Sequence, residues 1–385
     1  MSAFQVFYRV ATLLSLVVIF STCGVCEKVQ QKKELSFAGV DEVIVKAISE
    51  KRAPGAVVIV GNNKEIIYEH AYGFRQLLPT SQRMELETIF DIASLTKIVA
   101  TTTAIMLLYE PGLIDIKKSV ATYLPDFGVQ GKGKVTIEQI MRHRAGLIPG
   151  NPKEEYKNGF PTALKSIYAL PPAYPPGTKY EYSDLGYIVL VAIIEKITGM
   201  KFDQFCQEKI FKPLGMNHTC FNPPASLHEF CAPCERDECG NWLKGVVHDP
   251  RARLLGGVAG HAGVFSTAHD LVCFCQMILN KGVSRGQQFL KKETIEMMSQ
   301  HDNLPPGEQR GLGWDINTPH SSPRGTLFSA SSFGHTGFTG TSLWIDPVNN
   351  CFVVLLTNRL HPDASGNVIQ LRREVATAAA KSLGL

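Results

Sequence analysis

Missing from this chain of 385 residues is any dense block of basic side chains: 39 Lys and Arg stand against 35 Asp and Glu, for a net charge of +4. The only local concentration is the short stretch from Lys28 to Lys33. Binding a phosphate backbone takes a concentrated basic footprint, so no nucleic-acid partner is expected. No segment recurs with a period of about 20 to 50 residues, which argues against a solenoid or propeller. No run of the ~20 apolar residues needed to cross a bilayer is present. The H-E-x-x-H and paired C-x-x-C patterns of strong metal sites are absent too, and no metal or other cofactor is expected.

What is present has the balance of an ordinary globular protein, 44% hydrophobic and 19% charged. That length suffices for a large core or for two lobes sharing a cleft. Arg9 precedes the apolar run Val10 to Phe20, with small residues around Ser21 to Val25. One positive charge, a short apolar core and small side chains form an export-signal pattern, assigned to residues 1–26. The competing reading is a membrane anchor, for which the run is short. Cys23 is a candidate for lipid attachment, although Phe20-Ser-Thr before it matches the usual lipoprotein box poorly. The expected location is periplasmic or secreted, with lipid anchoring as the alternative; membrane contact is expected only with a lipid or a retained signal. Eight cysteines follow the signal: Cys206, Cys220, Cys231, Cys234, Cys239, Cys273, Cys275 and Cys351. In an exported chain they favour disulfides in a loop insertion, with zinc held by the Cys231–Cys239 cluster as the lesser alternative.

Periodicity places an amphipathic helix over about residues 38–52, through Val40, Val43, Ile44, Ala47 and Ile48. Gly55–Val60 and Glu65–His70 flank a Gly/Asn turn and read as a hairpin. Thr341–Asp346 and Cys351–Thr357 form a second hairpin, and a helix from about Asn367 to Ser382 closes the chain. Between these ends the sequence is mostly helical. Thr136-x-x-Gln139 is a capping box, and Gly199 and Gly282 are placed to end the helices Leu185–Thr198 and Ala268–Asn280. Residues 27–385 thus read as one α/β domain. Its α/β lobe takes about 36–93 and 283–385, its helical lobe about 94–282, and an active site is expected between them.

The chemistry centres on Phe90-Asp-Ile-Ala-Ser94-Leu-Thr-Lys97, which runs directly into an apolar helix. With Ser94 opening that helix, Lys97 projects from the same face one turn later. The helix start offers backbone N–H groups and a positive dipole end to an oxyanion. A serine hydroxyl is a weak nucleophile until a neighbouring base takes its proton. Alone, S-x-x-K is also an ordinary helix start. Two further stretches join it: Tyr180-Glu-Tyr182-Ser-Asp184 before the next apolar helix, and Phe333-Gly-His335-Thr336-Gly337-Phe338 before a strand. In order and context the three resemble the S-x-x-K, Y-x-N and K-T-G motifs of the serine β-lactamase and penicillin-binding superfamily. Ile140-Met-Arg-His143-Arg-Ala-Gly-Leu147 and the glycine-rich Gly256 to Asp270 are similar to further stretches of its class C-like members. The likeness spans about residues 36–385.

The resemblance implies a β-lactamase/transpeptidase-like fold, an antiparallel sheet flanked by helices plus a mostly helical lobe. It also implies an acyl-enzyme on Ser94, with Lys97 and Tyr182 sharing the proton work and the N–H groups of Ser94 and Phe338 forming the oxyanion hole. Asp184, His335, Thr336, Gly337 and Phe338 would line the substrate site. Two positions depart from the family. Asp184 replaces the usual Asn; an ionised carboxylate can only accept hydrogen bonds. At ~4 Å and an effective dielectric constant near 20 it stabilises a Lys97 ammonium by about 4 kcal/mol while opposing a Tyr182 phenolate. The base is therefore left as the Lys97/Tyr182 pair. His335 replaces Lys and, mostly neutral at pH 7, holds a substrate carboxylate less firmly. The substrate classes implied are a small peptide, a β-lactam or an ester. First is a D-Ala-D-Ala carboxypeptidase working on peptidoglycan peptides, then an esterase or β-lactamase on the same scaffold, then a non-catalytic binding protein that kept the fold. His248-Asp249 and His261 match no metal-ligand spacing and are expected to line the cleft or order a loop.

Overall fold

The computed structural model describes residues 35–301 and 304–385. The signal assigned to residues 1–26 lies outside the described residues. Among the described residues, eight strands form one antiparallel sheet, in the spatial order Gln82–Arg83, Ile66–Gln76, Gly55–Gly61, Cys351–Thr357, Ser342–Asp346, Phe333–Thr336, Asp315–Asn317, Gln309–Arg310. Both expected hairpins are there, and the ends of the chain meet at the centre, where Ala56 opposes Thr357 and Gly61 opposes Phe352.

Strand side chains alternate faces, and the sheet uses both. Val57, Ile59, Leu343, Ile345, Val354 and Leu356 point into a core shared with the central helices. Ala56, Val58, Val60, Trp344, Val353 and Leu355 point the other way, beneath the helices Ala38–Ser49 and Ile369–Ser382. Covering both faces explains why the central strands are buried at every position. No helix among the described residues is long and apolar enough to cross a membrane.

The capping box forms as expected, with Gln139 N–H donating to Thr136 Oγ1 at 3.1 Å and Thr136 N–H to Gln139 Oε1 at 3.0 Å. Gly199 and Gly282 end their helices at φ 68° and 88°. The Ser94 helix differs from expectation. Ser94 sits in a single tight turn, Ala93–Leu95, and the chain then widens into π-type turns over Lys97–Thr102 before becoming α-helical at Thr103–Tyr109. Wide turns of this kind mark functional positions in helices.

The cysteine reading is corrected. All eight described cysteines are free. The five buried ones pack as small apolar side chains in separate clusters: Cys206 and Cys275 in the main core, Cys351 on the other sheet face, Cys231 beside Ile89 and Val247, and Cys234 against Leu243 and Leu360, whereas Cys239 is exposed. Nor do the cysteines form a ligand set. Among the described residues the His/Cys/Asp/Glu ligand atoms grouped within 4.8 Å of one another belong to Asp184, Asp249 and His261.

Candidate active site

The turn bearing Ser94 is held under strain from below. Ala93 adopts φ 46°, a left-handed conformation that side-chain-bearing residues avoid. Buried Asp91 imposes it: one carboxylate oxygen accepts from Ala93 N–H at 2.8 Å, the other from His248 N–H at 2.8 Å. Burial pushes the Asp91 carboxyl up, with the two N–H groups working against that. The next loop staples the turn from its other side, as Thr339 Oγ1 donates to Asp91 O at 2.7 Å and Thr341 Oγ1 to Ile92 O at 3.1 Å. Gly337 lies where they meet. A Cβ there would fall 2.0 Å from Thr341 Oγ1 and 2.5 Å from Ile92 O, so only glycine fits.

Lys97 is wholly buried, and three oxygens surround its ammonium. It donates to Ser94 Oγ at 3.1 Å and to His261 O at 3.0 Å, and pairs with Asp184 Oδ1 at 2.7 Å. Burial alone would weaken its charge, but Asp184 and then Tyr182 more than offset that and raise its pKa. Asp184 opens the helix Asp184–Thr198, which puts its carboxylate beside this cation. Behind it, His261 Nε2 lies 2.9 Å from Asp249 Oδ1. Burial opposes the Asp249 charge, but the His261 ring outweighs it and holds the carboxyl well below its usual range.

Tyr182 lies 4.9 Å below the Lys97 ammonium, measured to its ring, and stacks on His143 at 4.4 Å. The capping-box helix Ile137–Met141 delivers His143, whose Nδ1 accepts from Ser183 N–H at 3.0 Å and so steadies the Tyr182 segment. Arg310, fully buried, reaches within 5.9 Å of the Tyr182 ring, with its guanidinium also on Gly313 O at 2.9 Å. Asp91, His143 and Arg310 were not singled out from sequence as site residues. His143 and Asp91 lie inside quoted motifs, whereas nothing local marks Arg310.

His335 and Thr336 end the strand Phe333–Thr336, and Phe338 follows with its ring 62% exposed. That ring is sandwiched between His248, with centroids 5.5 Å apart, and the Arg359 guanidinium at 4.6 Å. Two cavities open on Ser94, and Tyr182 and Phe338 border both. One, of about 510 Å³, is lined by His335, Thr336, Gly337, Arg310, Arg359 and Arg372. The other, of about 640 Å³, holds Asp184, Glu235, His248, Asp249 and His261. The structure thus gathers every residue singled out for the site, Ser94, Lys97, Tyr182, Asp184, His335, Thr336, Gly337 and Phe338, around these two openings. As expected, His248, Asp249 and His261 line the cleft.

A family model described as Beta-lactamase matches residues 40–377. A Salmonella enteritidis PT4 protein named "Putative D-alanyl-D-alanine carboxypeptidase" is 35% identical over 347 residues, 80% of this chain and 79% of that one. The Bacillus subtilis N-acetylmuramyl-L-alanine amidase is 32% identical over 372 residues, 86% of this chain and 84% of the relative. Among solved structures, a penicillin-binding protein homolog from Caulobacter crescentus superposes with a TM-score of 0.73 at 20% identity, covering 90% of this chain and 97% of that one.

Proposed function

The chain belongs to the beta-lactamase family and is a serine acyl-transfer hydrolase on that fold, and from that premise we propose that it removes the terminal residue from D-Ala-D-Ala peptides of the cell wall through an acyl-enzyme on Ser94. The observation that carries this reading is the cationic wall beside the nucleophile. Arg310, Arg359 and Arg372 line one cavity with Ser94, and the lining carboxylate, Asp315, already accepts from Thr318 and Ser321 at 2.8 Å each. Burial, with Arg359 nearby, pulls the Arg372 guanidinium down to about 9, still charged at neutral pH. Two guanidiniums that disfavour one another are relieved by an anion, and the α-carboxylate of a peptide end supplies one.

In this mechanism Lys97 keeps its proton and orients Ser94 by donating to Oγ. The Ser94 proton passes to the Tyr182 oxygen, with the Lys97 ammonium 4.9 Å and the Arg310 guanidinium 5.9 Å from the tyrosine ring. The oxygen of the attacked carbonyl turns towards the N–H groups of Ser94 and Phe338, each worth about 3 kcal/mol to the transition state. Tyr182 returns the proton to the departing amine, and water then releases the acyl group by the same path.

A second reading, cleavage between the muramyl lactyl group and L-Ala, draws support from the 32% identical amidase relative and from the second cavity on the other side of Ser94. Mass analysis of a D-Ala-D-Ala-ended muropeptide after incubation separates the two. Loss of one D-Ala supports the first, and parting of sugar from peptide supports the second. Intact substrate with folded enzyme, or turnover surviving in Ser94→Ala, would sink both. Export by residues 1–26, or anchoring at Cys23, belongs to the same reading, since these peptides lie outside the cytoplasm. N-terminal sequencing of the mature protein checks it, and a chain still starting at Met1 in the cytoplasm would contradict it.

A further inference from the structure

The Thr336 carbonyl fixes the tautomer of His335. His335 Nδ1 lies 2.8 Å from Thr336 O, and a carbonyl can only accept, so Nδ1 carries the hydrogen. The ring is 3% exposed. Burial, then Arg310, Lys97 and His320, hold the imidazole neutral, its pKa well below the ordinary value. The groups packed around it are Arg310, Lys97, His320 and Tyr182, three of them capable of positive charge, which disfavours a further proton on the ring. Nε2 is consequently a bare lone pair, and it is buried without a hydrogen-bond partner. The His335 residue belongs to the wall of the cavity that also holds Ser94 and the arginines.

We propose that His335 is a specificity residue whose Nε2 accepts a hydrogen bond from an N–H of the substrate, while Arg359 and Arg372 take the adjacent carboxylate. The ligand class is an amino acid joined through its N–H and carrying a free carboxylate. This deepens the carboxypeptidase reading and rests on it. The position commonly filled by a lysine is here inverted in polarity: a lone pair repels the carboxylate that an ammonium would attract. The carboxylate moves to the arginines, and the vacated position reads a donor instead. Substrates whose scissile nitrogen has no hydrogen, β-lactams among them, cannot satisfy Nε2. A depsipeptide ending in D-lactate fails in the same way.

Two measurements on the full chain test this. Nitrogen-15 NMR of histidine-labelled protein, assigned with His335→Gln, should show His335 protonated at Nδ1 and bare at Nε2 at neutral and mildly acidic pH. Signals of a doubly protonated ring, or of the opposite tautomer, would overturn the assignment. Second, kcat/KM is compared for an N-acyl-D-Ala-D-Ala peptide and its D-Ala-D-lactate counterpart in wild type, His335→Ala and His335→Gln. The amide-to-ester ratio should fall about tenfold in His335→Ala, the effect of one hydrogen bond. An unchanged ratio in both folded variants would refute the acceptor role of Nε2. Failure of wild type to cleave either substrate would instead refute the carboxypeptidase reading, with the NMR tautomer deciding the acceptor claim alone.

Discussion

Lys97 Nζ and Asp184 Oδ1 lie 2.7 Å apart, the lysine side chain wholly buried and the aspartate 26% exposed. With Ser94 Oγ and the His261 carbonyl also accepting from it and Asp184 raising its pKa, Lys97 is held as the ammonium, which has no lone pair to offer. In the proposed mechanism Lys97 therefore serves as a fixed charge and the proton passes through Tyr182.

Asp184→Asn tests that division of labour. Without the carboxylate, burial dominates and the Lys97 pKa falls. If the ammonium is the working form, kcat/KM is lost as pH rises through the lowered pKa, so the alkaline limb of the profile moves to lower pH. A gain in activity at alkaline pH would show the free amine to be the base. The variant should also lose about 3 kcal/mol of stability, since a buried charge is left without its partner, as measured by urea unfolding.

Two buried imidazoles predict how stability follows pH. His143 and His335 are both held well below the ordinary histidine value, first by burial and then by Arg310 and Lys97. In the unfolded chain each binds a proton near pH ~6.5, and in the folded protein it does not. The unfolded state binds more protons below that pH, so stability is full above about 6.5 and lost as pH falls, by about 1.4 kcal/mol per pH unit for each ring. The Asp91 and Asp270 carboxyls, pushed up by burial, act in the opposite sense. The informative quantity is thus the difference from His335→Gln, whose unfolding free energy should lose about 1 kcal/mol less between pH ~6.5 and ~5.5.

The parts of this site that were legible in the sequence were those carried by short local patterns. Ser94 and Lys97 lie three positions apart, and Tyr182 and His335 each precede a regular element that their neighbours announce. The hairpins and capping box were legible for the same reason. Asp91, Arg310 and Arg372 were not, because their roles also depend on partners distant in the chain: His248 for Asp91, Tyr182 for Arg310, and the Gly337 and Thr341 carbonyls for Arg372. The cysteines misled because spacing reports neither depth nor neighbours, and here separate apolar clusters claim them. The wide turns after Lys97 were equally silent, since the apolar pattern of Ile98–Leu108 fits a regular helix.

Arg359 offers a test of the carboxylate wall that leaves the nucleophile alone. Its Nε donates to Phe338 O at 2.8 Å and another of its nitrogens to Gly366 O at 3.0 Å, at the rim of the arginine-lined cavity. Arg359→Gln should lower kcat/KM about tenfold for a peptide with a free C-terminal carboxylate, the worth of a charge-assisted hydrogen bond. The same peptide with an amidated end should be much less affected. Equal losses on both peptides would mean that Arg359 only supports the Phe338 loop.

Gly337 joins the strand end to the nucleophile's turn, and its substitution separates positioning from chemistry. In Gly337→Ala the new Cβ must displace either the Thr341 hydroxyl or the Ile92 carbonyl, both closer than a carbon can approach. Thr341 Oγ1 itself donates to Ile92 O, so either movement loosens the bond between the strand and the turn. Overpacking of this kind costs about 1–3 kcal/mol. The functional loss should be larger than that stability change suggests, because the Phe338 N–H follows directly in the chain and a displaced oxyanion donor costs about a hundredfold or more in kcat. Substrate binding through Arg359 and Arg372 should survive, leaving KM nearly unchanged. A rise in KM with kcat preserved would mean that Gly337 shapes the pocket and that the oxyanion contact lies elsewhere.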